Sequence, residues 1–225
     1  MFNIDMMELQ RIFIPATQQT LYMVAFSGFF AIIIGTIIGV GLYITAKDGL
    51  CGNAPPVRLI NIVLGMIVNI GRSVPFVILI IAAIPLTRLV MGAFIGTEAA
   101  AFSLTLAAIP FVARLTEATF NDLNKGVVEA SIVCGATAFQ TVRKVLLPET
   151  IHRLILDYTV AIVNLVAFSA MAGIIGGGGL GDVAIRHGLH NFRTDILVWT
   201  VLILIVLVQL VQLAGNILSR VFDKR

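Results

Sequence analysis

Long apolar runs separated by short polar stretches make up most of this sequence. The clearest run covers residues 21–46, which are 26 residues without a charge. As an α-helix this run would be about 39 Å long at about 1.5 Å per residue, which exceeds a hydrocarbon core of about 30 Å. The run therefore predicts a transmembrane helix that crosses the bilayer with some tilt.

Four further apolar runs are long enough to be membrane spans. They cover residues 59–86, 99–120, 155–175 and 196–218. The pattern predicts an all-α, polytopic membrane protein with five transmembrane helices. Residues 17–218 form its membrane domain, with terminal segments at 1–16 and 219–225 and a large polar loop at 121–153.

The overall composition supports the same fold class. Hydrophobic residues make up 59% of the chain and charged residues 12%, and the mean hydropathy is +1.02. Such a chain has too little polar surface for a soluble globule, so the bilayer must be its solvent.

Lys and Arg residues are distributed unequally over the two predicted sides of the membrane. Side one has nine of them: Lys47, Arg58, Lys125, Arg143, Lys144, Arg153, Arg220, Lys224 and Arg225. The opposite side has four: Arg11, Arg88, Arg186 and Arg193. By the positive-inside rule, side one is cytoplasmic, the amino terminus is extracytoplasmic and the carboxyl terminus is cytoplasmic. This topology also accounts for the high pI, so we expect no nucleic acid partner.

No motif in the sequence indicates an enzyme or a metal centre. The nucleotide-binding pattern Gly-x4-Gly-Lys-Ser/Thr and the hydrolase patterns Gly-x-Ser-x-Gly and His-Glu-x2-His are absent. His187 and His190 lie three residues apart but lack an evident third ligand. Cys51 and Cys134 both fall on the predicted cytoplasmic side, where thiols stay reduced. We expect no catalytic residue, no metal and no disulfide.

The polar loop at 121–153 predicts two helices joined by a corner. Asn124 is a suitable N-cap for a helix over Lys125–Cys134, and Gly135 can adopt the left-handed conformation that ends it. Thr137 and Gln140 fit a capping box that opens a second helix, which we expect to end at about Leu147, before Pro148. On physical grounds alone, the first helix fits a partner's groove or the headgroup level of the membrane equally well.

The spacing of seven residues in this loop resembles the EAA loop of ABC-importer permeases. These residues are Glu129, Ala130, Ser131, Gly135, Val145, Leu147 and Pro148. Ser131 and Val145 depart mildly from the usual Ala and Ile. The resemblance implies that these residues couple the chain to a cytoplasmic ATPase, which binds ATP and Mg²⁺ in place of this chain.

Three further segments resemble the permease subunits of methionine-uptake importers. They are residues 69–75, 142–149 and 169–181. The resemblance covers nearly the whole chain and implies the type-1 ABC importer permease fold in the bacterial inner membrane. It also implies a homodimer, two cytoplasmic ATPase subunits and an extracytoplasmic binding protein that delivers methionine or a related amino acid. Alternating access would then move the substrate.

Polar residues inside the predicted spans are candidates for the translocation path or gate. They are Asn69, Arg72 and Ser73 in the second span and Asn164, Ser169 and Met171 in the fourth. A charge at bilayer depth is costly, so the helix is expected to break near Arg72 and Pro75. Alternatively, Arg72 reaches the interface or braces neighbouring helices, and the polar groups of the fourth span serve helix packing.

Two other functional classes remain open from the residues. A secondary transporter or channel would usually have acidic residues in its span cores or an internal repeat, and we find neither. A membrane scaffold would bind a partner through the polar loop without transport. The glycine run at 176–179 lacks the lysine of a phosphate loop and is interpreted as a flexible re-entrant or gate loop.

Overall fold

The computed structural model describes residues 6–47, 49–51 and 55–223. Within these ranges the chain is predominantly helical and has no β-strand. The expectations for residues 1–5 of the amino-terminal segment, for residues 224–225 of the tail, and for Asp48 and residues 52–54 of the first polar loop fall outside the described residues.

Nine α-helices occur in the described ranges. They are α1 (Met6–Thr45), α2 (Pro55–Ser73), α3 (Phe76–Met91), α4 (Thr97–Asn121), α5 (Lys125–Val133), α6 (Ala138–Thr141), α7 (Leu147–Ala172), α8 (Gly179–Val183) and α9 (Thr194–Phe222). π-Helical segments at Val142–Leu146 and Ala184–His190 follow α6 and α8, and a 3₁₀ turn at Gly173–Ile175 follows α7.

Five helical units are long and apolar enough to cross a membrane. Four of them are continuous: the greater part of α1, α4, the helix that runs from α6 through α7, and α9. The fifth consists of α2 and α3, which are bent by 114° relative to each other. Counting this pair as one broken span confirms the predicted all-α, five-span fold class.

The first helix begins earlier than the predicted span at 21–46. It starts at Met6 and continues through Pro15, so residues 6–16 are part of α1 rather than a separate segment. Phe13 and Ala16 are buried against Leu180 and Ile196, which lie in α8 and α9. Burial of these apolar side chains explains why the helix extends through the proline.

The break between α2 and α3 lies where the polar interruption predicted it. The Ser73 hydroxyl donates to the Asn69 carbonyl over 2.7 Å, which competes with the helical hydrogen bonds of α2. Pro75 has no N–H and adopts φ −55° and ψ 136°, an extended conformation outside the helix. The Pro75 carbonyl then accepts the first hydrogen bonds of α3.

Two glycines allow α1 and α4 to cross at short distance. Gly35 and Gly39 lie four residues apart on one face of α1, a spacing typical of close helix packing in membranes. A Cβ at Gly39 would lie 2.5 Å from the Ala113 carbonyl oxygen and 2.7 Å from the Thr116 Cβ. The sequence contained this signal, but it did not enter our prediction.

The core between the long helices is apolar and includes an aromatic stack. Met23, Leu104 and Leu165 are fully buried and join α1, α4 and α7. Phe76 stacks on Phe168 with ring centroids 4.5 Å apart, which fixes the start of α3 against α7. Many other large apolar side chains, above all on α2 and α9, are exposed, as expected where lipid or a second membrane protein is the neighbour.

The glycine run is closely packed, which differs from the flexible loop that we predicted. The Gly179 N–H donates to the Gln19 side chain over 2.8 Å, and the Leu180 N–H donates to the Thr20 hydroxyl over 2.9 Å. A Cβ at Gly181 would overlap the backbone of Ala170. The glycines therefore allow close approach to α1 and α7, where any side chain would clash.

A pair of substitutions tests the crossing of α1 and α4. Gly39→Ala should lower the free energy of unfolding by about 1–3 kcal/mol, because the new methyl overlaps Ala113 and Thr116. Gly41→Ala is the matched control, since its methyl meets Leu64 at an ordinary 3.7 Å. Unfolding of the purified protein in mixed micelles measures the difference; equal stability of the two variants would contradict this packing.

Candidate functional site

The corner of the large polar loop has the geometry that the sequence predicted. The Asn124 side chain accepts a hydrogen bond from the Gly126 N–H over 2.9 Å and caps α5. Gly135 has φ +79°, the left-handed conformation in which a side chain is strained. Its N–H donates to the Ile132 carbonyl, and the Ala136 N–H donates to the Ser131 carbonyl. Both bonds satisfy carbonyls at the end of α5.

The start of α6 also confirms the prediction. The Gln140 N–H donates to the Thr137 hydroxyl over 3.3 Å, and the Thr137 N–H donates to the Gln140 side chain over 2.9 Å. These reciprocal bonds form the predicted capping box.

The predicted end of the second helix before Pro148 is wrong. The chain remains helical from Ala138 to Ile175, over 38 residues. A proline normally interrupts a helix because it lacks an N–H and clashes with a carbonyl one turn earlier. Here the preceding turn is π-helical and the Leu147 N–H donates to the Val142 carbonyl, so the proline follows a turn whose regular bonding is already interrupted. The second helix of the loop is therefore continuous with the fourth span.

Ser131 joins the two helices of the corner. Its hydroxyl donates to the Val128 carbonyl over 2.7 Å and lies 3.1 Å from the hydroxyl of Thr141, which is buried. An alanine at this position would make neither contact. The departure from the usual Glu-Ala-Ala pattern therefore adds a polar link between α5 and α6.

A small apolar cluster attaches the corner to the membrane helices. Its buried members are Phe120, Val128, Val142, Leu146 and Leu154, which come from α4, α5, the π-helical segment and α7. Partly buried residues at the end of α1, including Tyr43 and Ile44, pack against them. The corner is consequently fixed to three membrane helices.

The outer face of the corner exposes apolar side chains. Val133 is 87% exposed and Phe139 is 70% exposed. Val128 and Ile132 lie four residues apart on α5, but only Val128 is buried, and Ile132 is 51% exposed. Apolar side chains gathered at the end of a helix-turn-helix are typical of a protein contact surface.

The remaining loop residues of the predicted coupling set lie at different depths. Glu129, Ala130 and Pro148 are exposed, whereas Val145 and Leu147 are half-buried. Glu129 borders a groove of about 440 Å³, together with Tyr43, Lys47 and Lys125. The structure thus brings the predicted coupling residues together around one corner while partly burying some of them.

A second groove, of about 690 Å³, lies between α2 and α4. Asn69 and Ser73, two predicted path residues, line it together with Arg114 and Glu117. Arg114 and Glu117 lie three residues apart on α4 and form an ion pair, with the guanidinium 2.5 Å from the carboxylate. We had not predicted that this pair would face the same groove as Asn69, because periodicity does not tell which face of α2 meets α4.

The other predicted path residues do not line this groove. Arg72 is exposed beside the helix break, and Asn164 is half-buried. Ser169 is buried and donates to the Val166 carbonyl of its own helix, while Met171 is 44% exposed. Residues of the second and fourth spans are therefore not gathered into one site within this chain.

A bundle of five helical spans, a structured polar corner and a polar groove define a multi-pass membrane permease. The family model for the binding-protein-dependent transport system inner membrane component matches residues 49–225. The chain belongs to this family.

Two relatives and one solved structure are similar over nearly the full length. The probable D-methionine transport system permease protein MetI of Vibrio cholerae is 51% identical, over 94% of this chain and 92% of its own. The methionine import system permease protein MetP of Bacillus subtilis is 37% identical, over 99% of this chain and 97% of its own. A structure of the inward-facing MetNI methionine ABC transporter matches with a TM-score of 0.92 and 37% identity, over 98% of this chain and 100% of that chain. This chain is accordingly an inner-membrane permease subunit of an ABC importer and is not itself the ATPase.

The capping box generates a prediction about the stability of the corner. Thr137→Ala removes the hydroxyl that accepts from Gln140 and should cost about 1 kcal/mol. Local opening of the corner, and with it trypsin cleavage at Arg143 and Lys144, should rise about fivefold. Limited proteolysis in lipid nanodiscs measures the rate, and Thr137→Ser, which keeps a hydroxyl, should stay near the wild-type rate. Equal cleavage of the alanine and serine variants would contradict the role of the cap.

Proposed function

We propose that this chain translocates methionine or a related amino acid as a homodimer, driven by two cytoplasmic ATPase subunits and supplied by an extracytoplasmic binding protein. The observation that carries the proposal is the exposed corner of α5 and α6, which continues without interruption into a membrane span. Relatives of 51% and 37% identity that are named for methionine transport support the choice of cargo.

The corner is suited to receive force from an ATPase. Val133 and Phe139 offer an apolar contact surface, and Glu129 and Ala130 lie exposed beside it. Because one helix runs from Ala138 to Ile175, a displacement of the corner is transmitted directly into the bilayer. Gly135 sets the direction of the corner, and Ser131 links its two helices. The half-buried Val145 and Leu147 hold the corner on the membrane domain, with Pro148 exposed beside them.

The mechanism is alternating access. ATP and Mg²⁺ bind to the partner ATPases, and closure of these subunits moves the two corners of the dimer. Each corner must contact its ATPase differently in the inward-open and outward-open states, because a partner with equal affinity for both states shifts no equilibrium. Asn69 and Ser73 line the proposed path; Arg72, Asn164, Ser169 and Met171 remain candidates at its gate or in helix packing.

The membrane orientation follows from the same proposal. The corner must face the cytoplasm to meet an ATPase, which agrees with the excess of Lys and Arg on that side. The amino terminus is then extracytoplasmic and the carboxyl terminus cytoplasmic.

Reconstitution in vesicles tests the function. Uptake of labelled methionine should require this chain, the ATPase, the binding protein and ATP together. Uptake by this chain alone would identify a secondary transporter or channel instead, and assembly without uptake would identify a scaffold. A competition panel of amino acids in the same assay defines the cargo.

The native cysteines test orientation and ATPase contact. Cys134 lies exposed at the corner, and Cys51 lies exposed between α1 and α2. A membrane-impermeant maleimide should label both from the cytoplasmic side only, and bound ATPase should slow the labelling of Cys134 at least about fivefold. The variants Cys51→Ser and Cys134→Ser show which cysteine gives each labelling signal. Labelling of Cys134 from outside, or unchanged labelling with ATPase bound, would contradict the proposal.

Substitution of the corner glycine should uncouple the transporter. Gly135→Val places a β-branched side chain at φ +79°, which costs about 1–2 kcal/mol and reorients the corner. Uptake per ATP hydrolysed should fall several-fold, with membrane insertion intact. Ala136→Val is the matched control, because Ala136 does not have a positive φ. Normal coupling in Gly135→Val would mean that the corner geometry is not used.

A further inference from the structure

The groove between α2 and α4 combines polar and apolar surfaces. Asn61, Gly65, Asn69 and Ser73 are spaced four residues apart and form a stripe along α2. Across the groove lie Arg114, with 39% of its side chain exposed, and Glu117, with 14% exposed. Apolar side chains complete the lining: Ile62, Met66, Ile70 and Val74.

The charges of this groove must face water or protein. Arg114 lies seven residues before the end of α4 at Asn121, which is about 10 Å along the helix. At that depth lipid tails cannot stabilise a guanidinium, and charged residues in spans usually face a cavity. These charges favour water or another protein over lipid as the neighbour of this groove in the assembled protein.

The Arg114–Glu117 pair has unused binding capacity. A guanidinium has five N–H donors, and a carboxylate accepts several hydrogen bonds. In the described ranges, Glu117 is the only ion-pair partner of Arg114, and a single hydrogen bond joins the two side chains. The guanidinium can still bind a second carboxylate, and the carboxylate can still accept from an ammonium group.

We propose that this groove binds the zwitterionic head group of the transported amino acid, with Arg114 on the α-carboxylate, Glu117 on the α-ammonium, and Met66 and Ile70 against an apolar side chain. The groove is open along one side, and its volume of about 690 Å³ can hold a small ligand with space for water. This inference rests on the proposed function and adds to it a specificity site within the membrane.

Binding of labelled methionine to the complete permease–ATPase complex in nanodiscs, without the binding protein, tests the site. Competitors are methioninamide, which lacks the carboxylate, and the desamino hydroxy acid, which lacks the ammonium. Arg114→Gln should weaken the binding of methionine about tenfold and leave the binding of methioninamide unchanged. Glu117→Gln should weaken the binding of methionine but leave the binding of the hydroxy acid unchanged. Arg186→Gln is the control, because it removes a paired arginine that lies outside the groove.

The outcomes separate this site from a structural ion pair. If the pair has only a structural role, each variant should bind all three ligands more weakly by the same factor, and that result would overturn the proposal. Unchanged methionine binding in Arg114→Gln, or no methionine binding to the wild type, would also overturn it. If Arg114→Gln does not assemble with the ATPase, the binding of methionine and of the hydroxy acid to Glu117→Gln tests the proposal by itself. Failure of the proposed function gives a different result, because vesicles with the wild-type protein would then show no ATP-driven uptake of methionine.

Discussion

A hydrocarbon solvent cannot form hydrogen bonds with a protein, and this constraint determines where the chain can place its polar groups. Backbone groups in the spans are satisfied within helices, and the buried hydroxyls of Thr20 and Ser169 have partners close by. Among the described residues, further polar side chains gather at the corner of α5 and α6 and at the groove between α2 and α4. In the proposed function, these are the places where the transporter contacts its ATPase and its substrate.

The corner and the groove share the same helices. α4 contributes Arg114 to the groove and Phe120 to the cluster beneath the corner. Close contact of Gly35 and Gly39 holds α1 on α4, so a displacement at the corner reaches the groove through packed helices rather than through a loose loop. In the proposed mechanism, a rigid connection of this kind allows a small movement at the ATPase to change access to the path.

Local features were predictable from the sequence, whereas contacts between distant helices were not. Asn124, Gly135 and the Thr137–Gln140 box act through neighbouring backbone groups, and the structure confirms each of them. The helical continuity through Pro148 depends on a π turn that periodicity does not indicate. The groove depends on which face of α2 meets α4, and the packing of Gly179 on α1 depends on residues 160 positions away.

The most direct test of the account measures movement of the corner during the ATP cycle. A spin label on Cys134 in a Cys51→Ser background reports the distance between the two corners of a dimer assembled with its ATPases. We expect the distance distribution to change between the nucleotide-free and ATP-bound complexes. The same distribution in both states, in a preparation that imports amino acid with ATP, would contradict the central claim.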